Sequence, residues 1–386
     1  MSERQSVDWT EDEVERSALW RSESGMKPPR HVRVADDRMT ADAAYKLACE
    51  GTALLWRGDF HGARQLLTAL RRRVDRKPPK AGASPRENFH LQRQALSRRA
   101  RVLGMLLVPL DSGAGEGSYV VPLRRAPDVR EACAEAYGPP PSSAEEHSLV
   151  ALRELLGVIG AHEWRHRGVP VPALGGERVH PAYGVFSPVR GEYVDLVART
   201  ELPPNGTAFD IGTGTGVLSA VLARRGVARV VATDQDPRAL ACARENLDRL
   251  GALERVTVIE ADLFPPGHER ASLIVCNPPW LPAKPTSPLE HAVYDPASRM
   301  LRGFLAGLAG RLTPDGEGWL ILSDLAEHLQ LRTREELLGW IEAAGLAVAG
   351  REDTRPHHPR AADPTDPLHA ARSAEVTSLW RLTRAG

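Results

Sequence analysis

Asn277-Pro278-Pro279-Trp280 is the stretch of this chain whose residue types most narrowly dictate a chemistry. Consecutive prolines fix φ and carry no N–H, so the backbone there is stiff and its carbonyls stay free to accept. The Asn277 side-chain carbonyl and the Pro278 carbonyl give two neighbouring acceptors, enough to hold both hydrogens of a planar NH2 group. Held in this way, the nitrogen is oriented and its lone pair is discouraged from delocalising. Trp280 adds a flat face on which a base or an amide can stack. Catalytic roles are therefore expected for Asn277, Pro278, Pro279 and Trp280.

Upstream, Phe209-Asp210-Ile211-Gly212-Thr213-Gly214-Thr215-Gly216 closes an apolar run and opens directly into a helical pattern. Glycines here permit a tight turn and a close approach of ligand to backbone. A dinucleotide site has the longer Gly-x-Gly-x-x-Gly spacing, which counted from Gly212 needs glycine where Val217 stands. Nicotinamide and flavin are thereby disfavoured. Two further apolar runs end in acids. Val230-Val231-Ala232-Thr233 leads to Asp234, placed to accept both hydroxyls of a ribose. Val258-Ile259-Glu260-Ala261 leads to Asp262, which can accept from an adenine amino group. Three successive strand ends thus offer a glycine loop, a ribose acceptor and an adenine acceptor at the edge where open α/β sheets bind ligands.

The elements that must position these residues follow from periodicity. Short apolar strands are predicted at 207–211, 228–233, 256–260, 273–276 and 318–322, with further candidates at 346–349 and 376–382. Amphipathic helices fall between them at 217–225, 237–250, 298–311 and 334–344. Such alternation predicts a parallel sheet covered by helices on both faces.

Within this frame, roughly residues 181–350 resemble the class I methyltransferases. The resemblance implies a Rossmann-like, seven-stranded α/β sheet and S-adenosyl-L-methionine as cofactor. Asp210, Gly212, Thr213, Gly214 and Gly216 would surround the methionine part, Asp234 the ribose and Asp262 the adenine. The Asn-Pro-Pro-aromatic signature is similar to that of amino-methyltransferases acting on adenine N6, guanine N2 or protein glutamine. Those families usually place Tyr or Phe where Trp280 stands. In them a segment before the first strand folds over the cofactor, which puts Phe186 and Pro188 over the pocket; the alternative is a staple and cap for the next helix. The implied reaction is methylation of a planar nitrogen in an RNA, ribosomal or protein substrate, with a small secondary metabolite as a third choice. A cofactor-binding sensor or scaffold without turnover is the non-catalytic alternative.

A chain of 386 residues exceeds one typical core. Composition suggests a mixed α+β substrate-recognition domain over 1–143, a helix and linker over 144–180, and the catalytic domain over 181–386. Gly138-Pro-Pro-Pro-Ser-Ser marks the linker, and a helix is expected from 144 to 166, ended by Gly168. Two helices meeting at Arg57-Gly58-Asp59-Phe60 are read over 41–73, a loop over 76–86 and a hairpin turn over 112–117. Net charge is zero, yet residues 57–101 hold 13 Lys or Arg against Asp59, Asp75 and Glu87, a local +10. This is either a solvated helical face or a surface for phosphates or an acidic partner. Four scattered cysteines, a polar acidic N-terminus and no apolar run near the ~20 residues of a membrane span fit a reducing cytoplasm.

His162-Glu163-Trp164-Arg165-His166 matches the His-Glu-x-x-His zinc pattern of hydrolases. Gly168 ends that helix almost at once and Arg165 and Arg167 add positive charge, so no metal is expected. A His-rich stretch over 351–374 (His357, His358, His369) reads as a polar loop.

Overall fold

Runs of four or five buried apolar residues become parallel strands in both halves of the chain. The computed structural model describes residues 5–112, 118–140, 146–204, 206–285, 290–356 and 363–386. The chain divides into two units, one of Met1–Ala81 and His90–Glu163, the other of Gly82–Phe89 and Trp164–Gly386.

The first unit contains β1 (Ser6–Glu11), β2 (Val14–Arg21), β3 (His31–Ala35), α1 (Ala41–Glu50), β4 (Thr52–Trp56) and α2 (Phe60–Val74). Most of α3 (Pro85–Leu103), then β5 (Leu106–Ser112), β6 (Tyr119–Val120), α4 (Arg130–Tyr137), β7 (Glu146–Ala151) and most of α5 (Leu152–Arg167) complete it. Its sheet runs β1-β2-β7-β5-β4-β3, with β6 on β5, and mixes parallel and antiparallel pairs. This is the smaller α+β domain expected from the sequence, with several elements redrawn.

Gly51, at φ 89°, ends α1 after ten residues, and Ala53–Trp56 are buried in a row as β4. Leu54 and Leu55 therefore belong to a central strand and not to a helix; buried on both faces, such a strand shows no alternation to betray it. Asp59 does cap the following helix, its carboxylate accepting the His61 N–H at 2.8 Å. Likewise the helix expected from 144 begins only at Leu152, because Glu146–Ala151 pairs with β5. Gly168 follows its last turn at φ 65°, as expected. The basic stretch falls largely on α2 and α3, where Arg73 pairs with Asp42 and Arg99 with Asp75, while Arg57, just after β4, pairs with Glu11. The hairpin residues 113–117 lie outside the described residues.

The second unit opens with β8 (Val169–Pro170) paired to β9 (Arg178–Val179), then α6 (Glu192–Arg199). There follow β10 (Thr207–Ile211), α7 (Val217–Arg224), β11 (Arg229–Asp234), α8 (Pro237–Arg249), β12 (Val256–Glu260) and β13 (Ala271–Cys276). The chain ends through α9 (Arg299–Arg311), β14 (Leu312–Ser323), α10 (Leu325–His328), α11 (Arg334–Ala343), β15 (Leu346–Thr354), α12 (His369–Ala374) and β16 (Thr377–Arg384). Sheet order is β12-β11-β10-β13-β14-β16-β15, parallel from β12 to β14 and antiparallel at β16. It is the seven-stranded Rossmann-like sheet of the methyltransferase fold.

Strand residues alternate between two cores. Val230 and Ala232 enter the core with Leu196, Val221 and Leu240, while Val231 enters that of Phe209, Phe304 and Leu308. A register slip of one residue would exchange the two sets, so the register is strongly specified. The polar stretch from 351 is not all loop. Arg351–Thr354 finishes β15 and His369 opens α12; His357 and His358 lie outside the described residues. Among the described residues no helix is long and apolar enough to cross a membrane.

Candidate active site

Ile211 pairs with Cys276 across β10 and β13, so Gly212 and Asn277 leave neighbouring parallel strands at the same level. Ile211 also pairs with Thr233, one residue before Asp234, and Asp234 pairs with Glu260, two residues before Asp262. One sheet edge therefore collects the glycine loop, both strand-end acids and the tetrapeptide.

The loop is built around Asp210. Its carboxylate is buried and accepts from Thr213 Oγ1 (2.7 Å), Ser219 Oγ (2.6 Å) and the Ser219 backbone N–H (3.1 Å). Burial pushes its carboxyl above the usual range, and these donors only partly oppose that. Gly212, Gly214 and Gly216 all have positive φ (72°, 55° and 80°), a region costly for other residues. A side chain at Gly212 would strike Met300, and one at Gly216 would press on Ala243. At Gly214 a Cβ would meet nothing within 4 Å, so this glycine faces open space.

Asp234 accepts the Gly214 N–H (3.0 Å) on one oxygen and the Asp236 N–H (3.0 Å) on the other. A carboxylate has about four acceptor positions, so capacity remains for two hydroxyls. Burial raises this carboxyl too, against the pull of those N–H groups. Asp236 also caps α8, with Pro237 at its first position. Asp262 differs: it is exposed and paired with Arg299 at 2.6 Å. Its carboxylate is thus already engaged by a guanidinium.

At the tetrapeptide, Pro278 is buried and Asn277, Pro279 and Trp280 are half-buried. The Trp280 indole packs against both cores and its Nε1–H donates to Asn277 Oδ1 at 2.9 Å. The Arg190 guanidinium lies 5.5 Å from the ring centroid. Arg190 in turn contacts Glu192 and Glu375, each at 3.2 Å. Phe186 is exposed and Pro188 buried; Ser187 between them accepts from the Trp164 indole. The loop before the first catalytic strand is thus drawn toward the site through Arg190.

Sequence reasoning passed over Arg190, Glu192, Glu375 and Asp295. Glu375 contacts Arg190 from 185 residues away, a distance no local pattern reveals. Asp295 is buried; its carboxylate accepts the Met300 and Leu301 N–H groups (3.0 and 3.1 Å), and its own N–H donates to Leu281 O (2.9 Å). One residue thus ties the start of α9 to the strand segment just past Trp280. Asp295→Ala leaves those helix donors unmatched and should cost about 1–3 kcal/mol, read as a lower urea midpoint with an unchanged m-value.

His162 of the zinc-like pattern lies beside two acids. His162 has Nδ1 at 3.1 Å from a Glu135 oxygen and Nε2 at 3.7 Å from one of Glu131, an ion-pair arrangement. Arg165 pairs with Glu245.

Residues 178–333 match the family model of the methyltransferase small domain, less than half of the chain. The release factor glutamine methyltransferase of Cereibacter sphaeroides is 37% identical over 165 residues, 42% of this chain and 56% of that one. The ribosomal protein L11 methyltransferase of Pelotomaculum thermopropionicum is 35% identical over 150 residues, 39% and 41% of the two chains. The tRNA1(Val) (adenine(37)-N6)-methyltransferase of Shewanella loihica is 32% identical over 144 residues, 35% and 59%. The chain spans about half the length of the curated relatives it matches. S-adenosylmethionine is the cofactor that fits this edge: three positive-φ glycines, open space at Gly214 and an Asp234 carboxylate with acceptor capacity to spare.

Proposed function

We propose that this protein is an S-adenosylmethionine-dependent N-methyltransferase acting on a planar amino or amide nitrogen of a protein or an RNA. The observation that carries it is the Ile211–Cys276 pairing, which sets Gly212 and Asn277 side by side at one sheet edge. When bound, S-adenosylmethionine supplies a methyl group already activated on a sulfonium. The chain's own work is then to position and to desolvate.

In this reading Asp234 takes the ribose hydroxyls, the Asp210–Gly216 loop cradles the methionine part, and Asp262 reaches the adenine amino group from its pair with Arg299. The Asn277 and Pro278 carbonyls hold the hydrogens of the acceptor NH2. That keeps its lone pair out of conjugation and aims it along the sheet edge toward the glycine loop. A macromolecular acceptor is favoured because the named relatives act on release factor glutamine, ribosomal protein L11 and tRNA adenine. The basic α2–α3 stretch offers such an acceptor a cationic surface.

The test uses methyl-labelled S-adenosylmethionine and extract from cells that lack this protein. Label is expected in the protein or the RNA fraction. Incorporation into neither sinks the macromolecular reading; labelling of small solutes alone moves the acceptor to a metabolite.

A further inference from the structure

Holding an NH2 group between carbonyls demands that Asn277 present its oxygen and not its own NH2. An asparagine side chain does not settle this by itself, because its terminal torsion is broad and roughly two-fold. A flipped carboxamide would offer a donor to a donor. Something must select the orientation, and the Trp280 indole is chemically suited to do so. Its Nε1–H can only donate, so it can bond Oδ1 and never Nδ2. At 2.9 Å it occupies one lone pair of Oδ1 and leaves the other open. A tyrosine hydroxyl both donates and accepts, and phenylalanine does neither, so neither would discriminate in this way.

The indole is itself held. Its ring packs against the cores on both faces of the sheet, and Arg190 lies over it. Arg190 is fixed by two acids whose side chains are 4% (Glu192) and 1% (Glu375) exposed. The other oxygen of Glu375 accepts from Ser323 Oγ at 2.7 Å, at the end of β14. A guanidinium between two buried carboxylates gains charge-assisted bonds to both and has little freedom to move. The chain of contacts runs from the first residue of α6, the end of β14 and the approach to β16 to the Asn277 oxygen.

We propose that Trp280 and Arg190 are positioning residues: the indole N–H locks the Asn277 carboxamide in its accepting orientation, and the Arg190–Glu192–Glu375 clamp keeps the indole in place. This rests on reading Asn277 as the residue that binds the methyl acceptor. It assigns Trp280 a function that stacking alone does not require, and it explains why this chain carries Trp after the two prolines.

The test reads the lock without turnover. The full-length protein is labelled with 15N-tryptophan, which gives eight indole signals, and Trp280→Phe identifies the one from Trp280. That indole proton should exchange with water slowly. Asn277→Ala, which removes its acceptor, should shift the signal and speed its exchange. Arg190→Met should speed it as well, with Arg190→Lys in between because it keeps the charge but loses the fork. An unchanged Trp280 signal in Asn277→Ala or in Arg190→Met overturns the proposal. Should Arg190→Met fail to fold, Trp280→Phe decides by label incorporation. A fall of about tenfold in kcat, the worth of one hydrogen bond, with KM little changed supports the lock; full turnover refutes it. Absence of S-adenosylmethionine binding by the wild type would instead strike the methyltransferase reading and leave the indole result standing.

Discussion

Asn277→Ala lowers methyl incorporation about 10²–10³-fold, the usual consequence of deleting one preorganised group aimed at a reacting centre. Binding of S-adenosylmethionine, measured by calorimetry, stays near wild type, because Asn277 follows β13 whereas the residues proposed to hold the cofactor lie at the ends of β10, β11 and β12. That split separates an orienting role from a structural one. A variant that merely loosened the sheet edge would lose cofactor affinity too, since Gly212 and Asn277 emerge together. Asn277→Asp is the informative companion. It keeps an oxygen for the Trp280 indole and one for the acceptor, but adds a negative charge to the group that meets the acceptor. Intermediate activity is expected. Full activity in Asn277→Ala would remove the tetrapeptide from the mechanism altogether.

The cofactor edge was legible because its signals are local. Val230 to Thr233 is an apolar run closed by Asp234 and followed by Pro237 at a helix start, so strand end, acid and helix all lie within a few residues. The glycine loop announces itself in the same way, its three positive-φ positions needing glycine whatever surrounds them. The first unit was harder to read. Val7 and Trp9 alternate with polar residues in β1, but the charges around them resemble a polar tail. Asp12 and Glu13 then turn with positive φ, without the Asn-Gly or Asp-Gly pair that marks such hairpins. In β4 the opposite obtains: continuous burial erases the period, and Gly51 reads as a mid-helix glycine until the strand beside it is seen. The Arg190 clamp was beyond reach for a third reason. Arg190 comes from a loop before the sheet, Glu192 from the start of α6, and Glu375, held by Ser323 at the end of β14, from two residues before β16; only the crossover order of the sheet brings them together.

Asp234→Ala is expected to weaken S-adenosylmethionine binding by roughly 10²-fold or more, since hydrogen bonds to a charged acceptor contribute about 1.5–3 kcal/mol each and two hydroxyls are involved. Asp234→Asn should fall between, because one amide oxygen remains. The pH dependence gives a sharper test. Burial raises the Asp234 carboxyl above its ordinary value, so on acidification the folded protein takes up this proton before the unfolded chain does. Protonation there favours the folded state, and the contribution of Asp234 to stability therefore grows as pH falls through the raised value. It is lost again as pH rises past that window. Cofactor affinity moves the other way, because a neutral acid has given up the charge that strengthens its bonds to the ribose hydroxyls. Calorimetric titrations at descending pH should thus show weaker binding, while Asp234 itself takes nothing from stability over that window. Asp234→Asn should flatten most of that slope, with Asp210, whose carboxyl burial also raises, contributing to the remainder. A wild-type affinity indifferent to mild acid, or an equal slope in Asp234→Asn, would take the ribose away from Asp234.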